Sequence, residues 1–147
     1  MPRSRPMTQR PRFHLAFPVD DLEAARTFYG EVLGCPQGRE SDHWIDFDFH
    51  GHQIVAHLSP ELCGDKTANG VDGKQVPVRH FGLLLSYEAF DALAERLKDA
   101  GAAFVIEPYL RFEGQAGEQK TMFIRDPAGN ALEFKAFADD AQVFARG

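Results

Sequence analysis

The chain has 147 residues, of which 44% are hydrophobic and 26% are charged, a balance that excludes wholesale disorder, a collagen-like repeat and a coiled coil. The formal net charge is −6 although the first twelve residues carry four arginines and no acid, so the rest of the chain is strongly acidic and argues against nucleic acid binding. No apolar run is long enough to span a membrane, and we expect no membrane partner and a cytoplasmic location.

The first half of the chain predicts a strand, a helix and three more strands. Residues 1–12 are predicted to be a disordered basic leader, because their prolines would interrupt any helix. A strand at 13–19 precedes an amphipathic helix at 22–33, which Gly34 ends. The strands that follow are predicted at 37–41, where the signal is faint, at Trp44–Phe49 and at 53–58.

The second half repeats this order after a segment rich in Gly, Asp, Asn and Lys, 59–77, which is predicted to be a linker. A strand at 79–86 carries a histidine near its start, and a helix at 90–100 follows. The remaining strands are predicted at 103–106, at 121–125 and at Ala131–Phe137, the last two joined by the turn sequence DPAGN.

The internal repeat predicts an α+β fold of two paired βαβββ modules, 13–58 and 78–137. We expect the modules to form a curved mixed sheet shaped like a cup, with the helices on its outer face. Residues 138–147 are then a C-terminal tail or a short helix.

Strand alternation gathers three polar side chains on the faces that do not pack against the helices. His14, His80 and Glu133 each lie opposite the apolar residues of their own strand. An isolated Glu133 would cost several kcal/mol to bury as a charge, and a cation shared with two imidazoles would remove that cost. The pattern therefore predicts a metal site formed by these three residues.

Two histidines and one carboxylate leave open positions on a metal. Such a site suits Fe(II) in oxygen chemistry, and it also accepts Mn, Zn, Ni or Co. A small-molecule substrate with two adjacent oxygens can chelate the metal, and Fe(II) adds the binding of O₂ beside it. His57 ends the strand 53–58, at the position we expect to be equivalent to Glu133 in the second half. It is a fourth ligand, an acid/base group or a residue that only lies in the cleft, and the sequence leaves these alternatives open.

Several stretches resemble the vicinal oxygen chelate superfamily, which includes glyoxalase I, extradiol catechol dioxygenases and the fosfomycin and bleomycin resistance proteins. The resemblance is carried by FHLAFPVDDLEAARTFYGEVLGC, VRHFGLLL and MFIRDPAGNALEFKAF, and it covers about 13–137. GHQIVAHLSP and FVIEPYLRFEGQAGEQKTMFIRDPAGNALEFKAF are similar to a bacterial group of predicted small extradiol dioxygenases.

The resemblance implies roles for particular residues. It implies that His14, His80 and Glu133 are the metal ligands, and that two-module chains pair as homodimers. Glyoxalase I-like proteins usually have a metal-binding Glu where this chain has His57, so this difference favours a three-ligand site with His57 available for proton transfer.

The segment 107–120 borders the cup in proteins of this kind. The resemblance implies that Tyr109 supplies a phenol hydrogen bond, as a catalytic group, and that Arg111 contacts an anionic part of the substrate.

We therefore expect an Fe(II) enzyme that cleaves a catecholic or related substrate with O₂. The alternatives are a glyoxalase-like isomerase, lyase or transferase that uses Zn, Ni or Co, and a drug- or metabolite-binding protein without catalysis.

Overall fold

A computed structural model describes residues 10–64 and 68–146 of the chain. Most of the predicted leader, 1–12, lies outside the described residues, and its last three positions form neither helix nor strand. Among the described residues, none of the helices combines the length and the apolar character needed to cross a membrane.

The first module is a mixed four-stranded sheet with one helix. Asp21 begins the helix, because its carboxylate accepts a hydrogen bond from the Ala24 amide, and the chain turns away after Gly34, whose φ is +75°. The elements are β1 (His14–Val19), α1 (Leu22–Ala25), which continues as a π-helix (Arg26–Val32), β2 (Gln37–Glu40), β3 (Trp44–Phe49) and β4 (His52–Leu58). The sheet order is β1-β4-β3-β2, with β1 parallel to β4.

The second module has the same topology, so the predicted α+β fold of two βαβββ modules is confirmed. Its elements are β7 (His80–Leu85), α2 (Tyr87–Asp99), β8 (Ala103–Arg111), β9 (Gln119–Arg125), β10 (Ala131–Phe137) and a 3-10 turn (Asp140–Gln142). The sheet order is β7-β10-β9-β8, with β7 parallel to β10. The helix begins earlier than predicted, because the Ser86 hydroxyl accepts a hydrogen bond from the Ala89 amide.

The connection between the modules, predicted as a linker, contains structure of its own. A 3-10 turn (Pro60–Leu62) is followed by a hairpin of β5 (Ala68–Val71) and β6 (Lys74–Pro77). Asp72 and Gly73 form its turn, both with positive φ. The Asp-Gly pair is a strong hairpin signal in the sequence.

The strand β8 is longer than the predicted 103–106 and includes Tyr109 and Arg111. Its pairing with β9 shifts between Phe104 and Ile106 and again between Ile106 and Tyr109. These irregularities break the alternation of polar and apolar residues, which is the signal that a sequence-based prediction uses.

One hydrophobic core joins the two modules. Buried side chains of both sheets and both helices pack together, among them Phe17, Phe47, Phe90 and Phe134. At the junction, the buried Tyr29 hydroxyl donates to Asp126 Oδ2 at 2.6 Å, which ties the first helix to the turn between β9 and β10.

The opposite face of each sheet is open. On β1, Phe17 and Val19 are buried whereas His14 and Ala16 are exposed. The strands β7 and β10 alternate in the same way, so the predicted polar faces are the outward faces of the two sheets.

Candidate metal centre

The second sheet brings His80 and Glu133 together. Parallel pairing of β7 and β10 places Gly82 opposite Glu133, and His80 lies two positions earlier on the same face. The His80 Nε2 atom lies 3.1 Å from Glu133 Oε1. Two atoms that both bind divalent cations thus face each other across neighbouring strands.

Hydrogen bonds to the far side of each group fix this pair. His80 Nδ1 lies 2.7 Å from the Pro77 carbonyl oxygen, which can only accept, so Nδ1 carries a proton and Nε2 faces Glu133. The other carboxylate oxygen of Glu133 accepts a hydrogen bond from the Thr121 hydroxyl. Outer partners of this kind orient metal ligands.

The pair also controls its own ionisation. The hydrogen bond to Glu133 raises the pKa of His80, and this effect outweighs the opposing effect of burial. Burial acts to raise the pKa of Glu133, but hydrogen bonds from His80 and Thr121 together lower it. Both shifts favour the charged form of the group concerned.

His14 is fixed in a similar way on the first sheet. Its Nδ1 lies 2.7 Å from the Gln53 side-chain oxygen, while the Gln53 amide nitrogen donates to Asp46 Oδ2 at 3.3 Å. Because an amide oxygen only accepts, Nδ1 of His14 is the donor in this contact. Nε2 is therefore the ring nitrogen of His14 that is left to bind a metal.

A single chain keeps the three predicted ligands in two groups. Within residues 10–64 and 68–146, no cluster of three or more His, Cys, Asp or Glu side chains is placed to hold a metal. The structure brings His80 and Glu133 together, and it places His14 against Gln53 instead.

The strand registers show which position of the first sheet corresponds to Glu133. Glu133 lies opposite the residue two positions after His80. The residue opposite the equivalent position after His14 is Val55. The first sheet therefore has an apolar side chain where the second has a carboxylate.

The equivalence of His57 with Glu133, which the sequence suggested, is wrong by two residues. His57 lies opposite Pro18 and corresponds to Lys135 in the second sheet. Its side chain is exposed on the same face as His14.

Tyr109 and Arg111 lie on the face that carries Glu133, because they pair with Thr121 and Gln119 of β9 and opposed residues share a face. The Tyr109 hydroxyl donates to Asp72 Oδ2 at 3.1 Å, and Arg111 Nε donates to the same oxygen at 2.6 Å.

These contacts reach Asp72, which the sequence reasoning missed. The hydrogen bonds from Arg111 and Tyr109 lower the pKa of Asp72. Burial and the bond to Asp72 raise the pKa of Tyr109. The ammonium group of Lys74, from the same hairpin, lies 4.7 Å from the centre of the Tyr109 ring.

Three other supporting residues were not foreseen from the sequence. Gln53 and Thr121 are polar residues on strand faces that the sequence already marked by His14 and Glu133, so alternation could have found them. The role of Pro77 rests on its backbone carbonyl, which leaves no mark in a sequence.

Comparisons with known proteins agree with this architecture. Residues 13–134 match the family described as the glyoxalase/bleomycin resistance protein/dioxygenase superfamily. A solved structure of a protein of that description from Alicyclobacillus acidocaldarius is 38% identical, with a TM-score of 0.75 over 91% of this chain and 96% of that one.

Two further relatives are less similar in sequence. The structure of the fosfomycin resistance protein FosX from Listeria monocytogenes has a TM-score of 0.70 and 17% identity over 92% of this chain and 98% of that one. The metallothiol transferase FosB from Lysinibacillus sphaericus is 24% identical over 128 residues, which are 87% of this chain and 83% of the relative. The likeness to FosX shows a shared fold.

Proposed function

This chain belongs to the glyoxalase/bleomycin resistance protein/dioxygenase superfamily, and from that premise we propose that it is an enzyme that uses a divalent metal held by His14, His80 and Glu133. The observation that carries the proposal is the arrangement of His80 and Glu133, whose facing atoms are 3.1 Å apart and whose outer atoms are already hydrogen-bonded. Neutral imidazole nitrogen and carboxylate oxygen are suitable donors for Fe(II), Mn(II), Zn(II), Co(II) or Ni(II).

The third ligand comes from a second copy of the chain in this proposal. His14 has its Nε2 free on the open face of the first sheet, and His80 lies on the open face of the second. On the second sheet, Leu84 shares the face of His80 and is 49% exposed, a large apolar side chain that a partner would cover. A homodimer that covers these faces would bring His14 of one copy to the His80–Glu133 pair of the other.

The other residues of the site would bind the substrate and transfer protons. A bound divalent metal supplies Lewis acidity to a substrate with two adjacent oxygens, and iron(II) additionally supplies reactivity with O₂. Val55 offers no fourth donor, so the three ligands leave positions open for the substrate. Arg111 and Tyr109 hold an anionic part of the substrate, and the exposed His57 accepts or returns a proton.

Two reactions fit this site. Extradiol-type cleavage of a catecholic substrate is the first, supported by the three-ligand donor set and by the likeness of the closing segments to small bacterial extradiol dioxygenases. Transfer of a thiol to a small electrophile is the second, supported by the similarity to a metallothiol transferase over most of both chains.

The test begins with metal-free protein loaded separately with Fe(II) and Mn(II). We expect one metal ion per chain, and either O₂ uptake with a catecholic substrate or adduct formation between a thiol and fosfomycin. His80→Ala abolishes metal binding and activity, whereas the exposed His43→Ala, a matched control, retains both. Wild-type protein that binds no metal, or His80→Ala that binds it normally, would contradict the proposal.

A further inference from the structure

The tip of the β5–β6 hairpin places a carboxylate against two donors on the face that carries Glu133. Arg111 Nε and the Tyr109 hydroxyl both donate to one oxygen of Asp72, at 2.6 and 3.1 Å. Convergent charged and neutral donors of this kind recognise an anionic oxygen. The Arg111 side chain is only 20% exposed, so its partly desolvated charge gains from an anionic partner.

The anion that fills this position comes from an exposed turn. Asp72 is 40% exposed, and the hairpin that carries it contributes one buried residue, Pro77 at its end. A segment with so little buried surface detaches at low cost compared with the sheets. Another carboxylate could replace Asp72 while Arg111 and Tyr109 keep their hydrogen bonds.

The position that the Asp72 carboxylate occupies is close to the pair of proposed metal ligands, His80 and Glu133. Tyr109 pairs with Thr121, and the Thr121 hydroxyl donates to Glu133. Two strand spacings and one step of two residues separate Tyr109 from Glu133, which corresponds to about 12 Å between their backbones. The side chains of Tyr109 and Glu133 lie on the same face of the sheet, so a small organic molecule is long enough to contact both.

The proposed function already assigns Arg111 and Tyr109 to an anionic part of the substrate. We propose that this part is a carboxylate group, and that Asp72 occupies its position until the substrate displaces it. The substrate class follows, if the proposed function holds: a small acid with two adjacent oxygens at the end opposite its carboxylate. The hairpin then acts as a strap that opens when such a molecule binds.

The test uses metal-free protein, so that its outcome does not depend on the metal site. Benzoate and its neutral analogue benzamide are titrated while the Arg111 Nε–H resonance is followed by NMR. Asp72 is a tethered competitor of benzoate, with an effective concentration on the order of millimolar. Asp72→Asn removes this competition, and we expect the apparent Kd for benzoate to fall about fivefold or more. Benzamide binding stays unchanged, and Arg111→Gln abolishes the benzoate response.

Asp91→Asn is the matched control, because Asp91 is another exposed carboxylate paired with a cation, Lys120, and its loss changes the net charge equally. It leaves the apparent Kd for benzoate unchanged. A gain as large in Asp91→Asn as in Asp72→Asn, or no gain in Asp72→Asn, overturns the proposal.

Amide hydrogen exchange in Ala68–Val71 and Lys74–Pro77 separates displacement from simple charge repulsion. Saturating benzoate speeds exchange there in the wild-type protein, whereas Asp72→Asn exchanges fast from the start and does not respond. Tighter benzoate binding without any hairpin response would mean that Asp72 only repels anions, and the proposal would be wrong. A separate Mn(II) titration tests the metal site, so failure of either idea is recognised independently.

Discussion

Gly82 lies so close to Glu133 that a Cβ atom on Gly82 would sit 1.5 Å from the Glu133 carbonyl oxygen. No side chain fits in this space, so only glycine lets β7 and β10 approach as they do. The same approach brings His80 within 3.1 Å of Glu133. A backbone requirement thus determines whether two of the proposed metal ligands meet.

Gly82→Ala is expected to separate the two strands, to weaken metal binding severely and to lower the free energy of unfolding by about 1–3 kcal/mol, the usual cost of overpacking. Urea unfolding and Mn(II) titration measure the two effects. Gly70→Ala is the control, because a Cβ there meets nothing within 4 Å. Normal metal affinity in Gly82→Ala would show that the close approach is not needed for the site.

Gln53→Leu is expected to reduce metal affinity about 10- to 100-fold, the usual effect of losing an outer-shell partner. The substitution removes the acceptor that keeps the proton of His14 on Nδ1. Gln53→Glu keeps an acceptor at this position and should retain most of the affinity. Calorimetric titration with Mn(II) makes the comparison, and equal affinity in all three proteins would remove Gln53 from the account.

Metal affinity should fall as the pH falls through the raised pKa of His80. A metal ion must displace the proton that His80 shares with Glu133. The metal affinity is therefore highest above this pKa, and below it the affinity falls by about tenfold per pH unit. Because Glu133 raises the pKa of His80, the decline begins at a higher pH than an ordinary histidine would give. Mn(II) titrations at a series of pH values test this, and an affinity independent of pH across the histidine range would contradict it.

Tyr29→Phe is expected to lower the free energy of unfolding by about 1–3 kcal/mol, because it removes a buried donor from a carboxylate. Asp126 is buried and keeps its hydrogen bonds from Ala128 and Asn130, so the variant leaves a buried carboxylate with one donor fewer. Tyr87→Phe removes a similar bond, to Glu118, from a more exposed position and should cost less. Urea unfolding measures the free energy of unfolding of both variants. Equal losses would contradict the expectation that the Tyr29–Asp126 hydrogen bond stabilises the protein more than the Tyr87–Glu118 bond does.

The repeat could be predicted because the two halves of the sequence show the same order of elements. The open strand faces could be predicted because alternation is visible within each strand. His14, His80 and Glu133 lie on the faces expected of them. The full length of β8, with Tyr109 inside it, was missed because two register shifts break its alternation.

Relations between strands were harder to predict. The position of His57 depends on the register between β1 and β4, which a two-residue offset changes without altering the alternation of either strand. The contact of Asp72 with Arg111 joins segments 39 residues apart, and no local pattern specifies it.

The most direct test of the central claim is metal content in mixed dimers of His14→Ala and His80→Ala. Each variant alone should bind no metal. If His14 of one chain completes the His80–Glu133 pair of the other, co-refolding equal amounts restores one site in every mixed dimer, about a quarter of the wild-type content when pairing is random. A mixture that binds no metal, or a His14→Ala protein that binds it fully, would contradict a metal site shared between two chains.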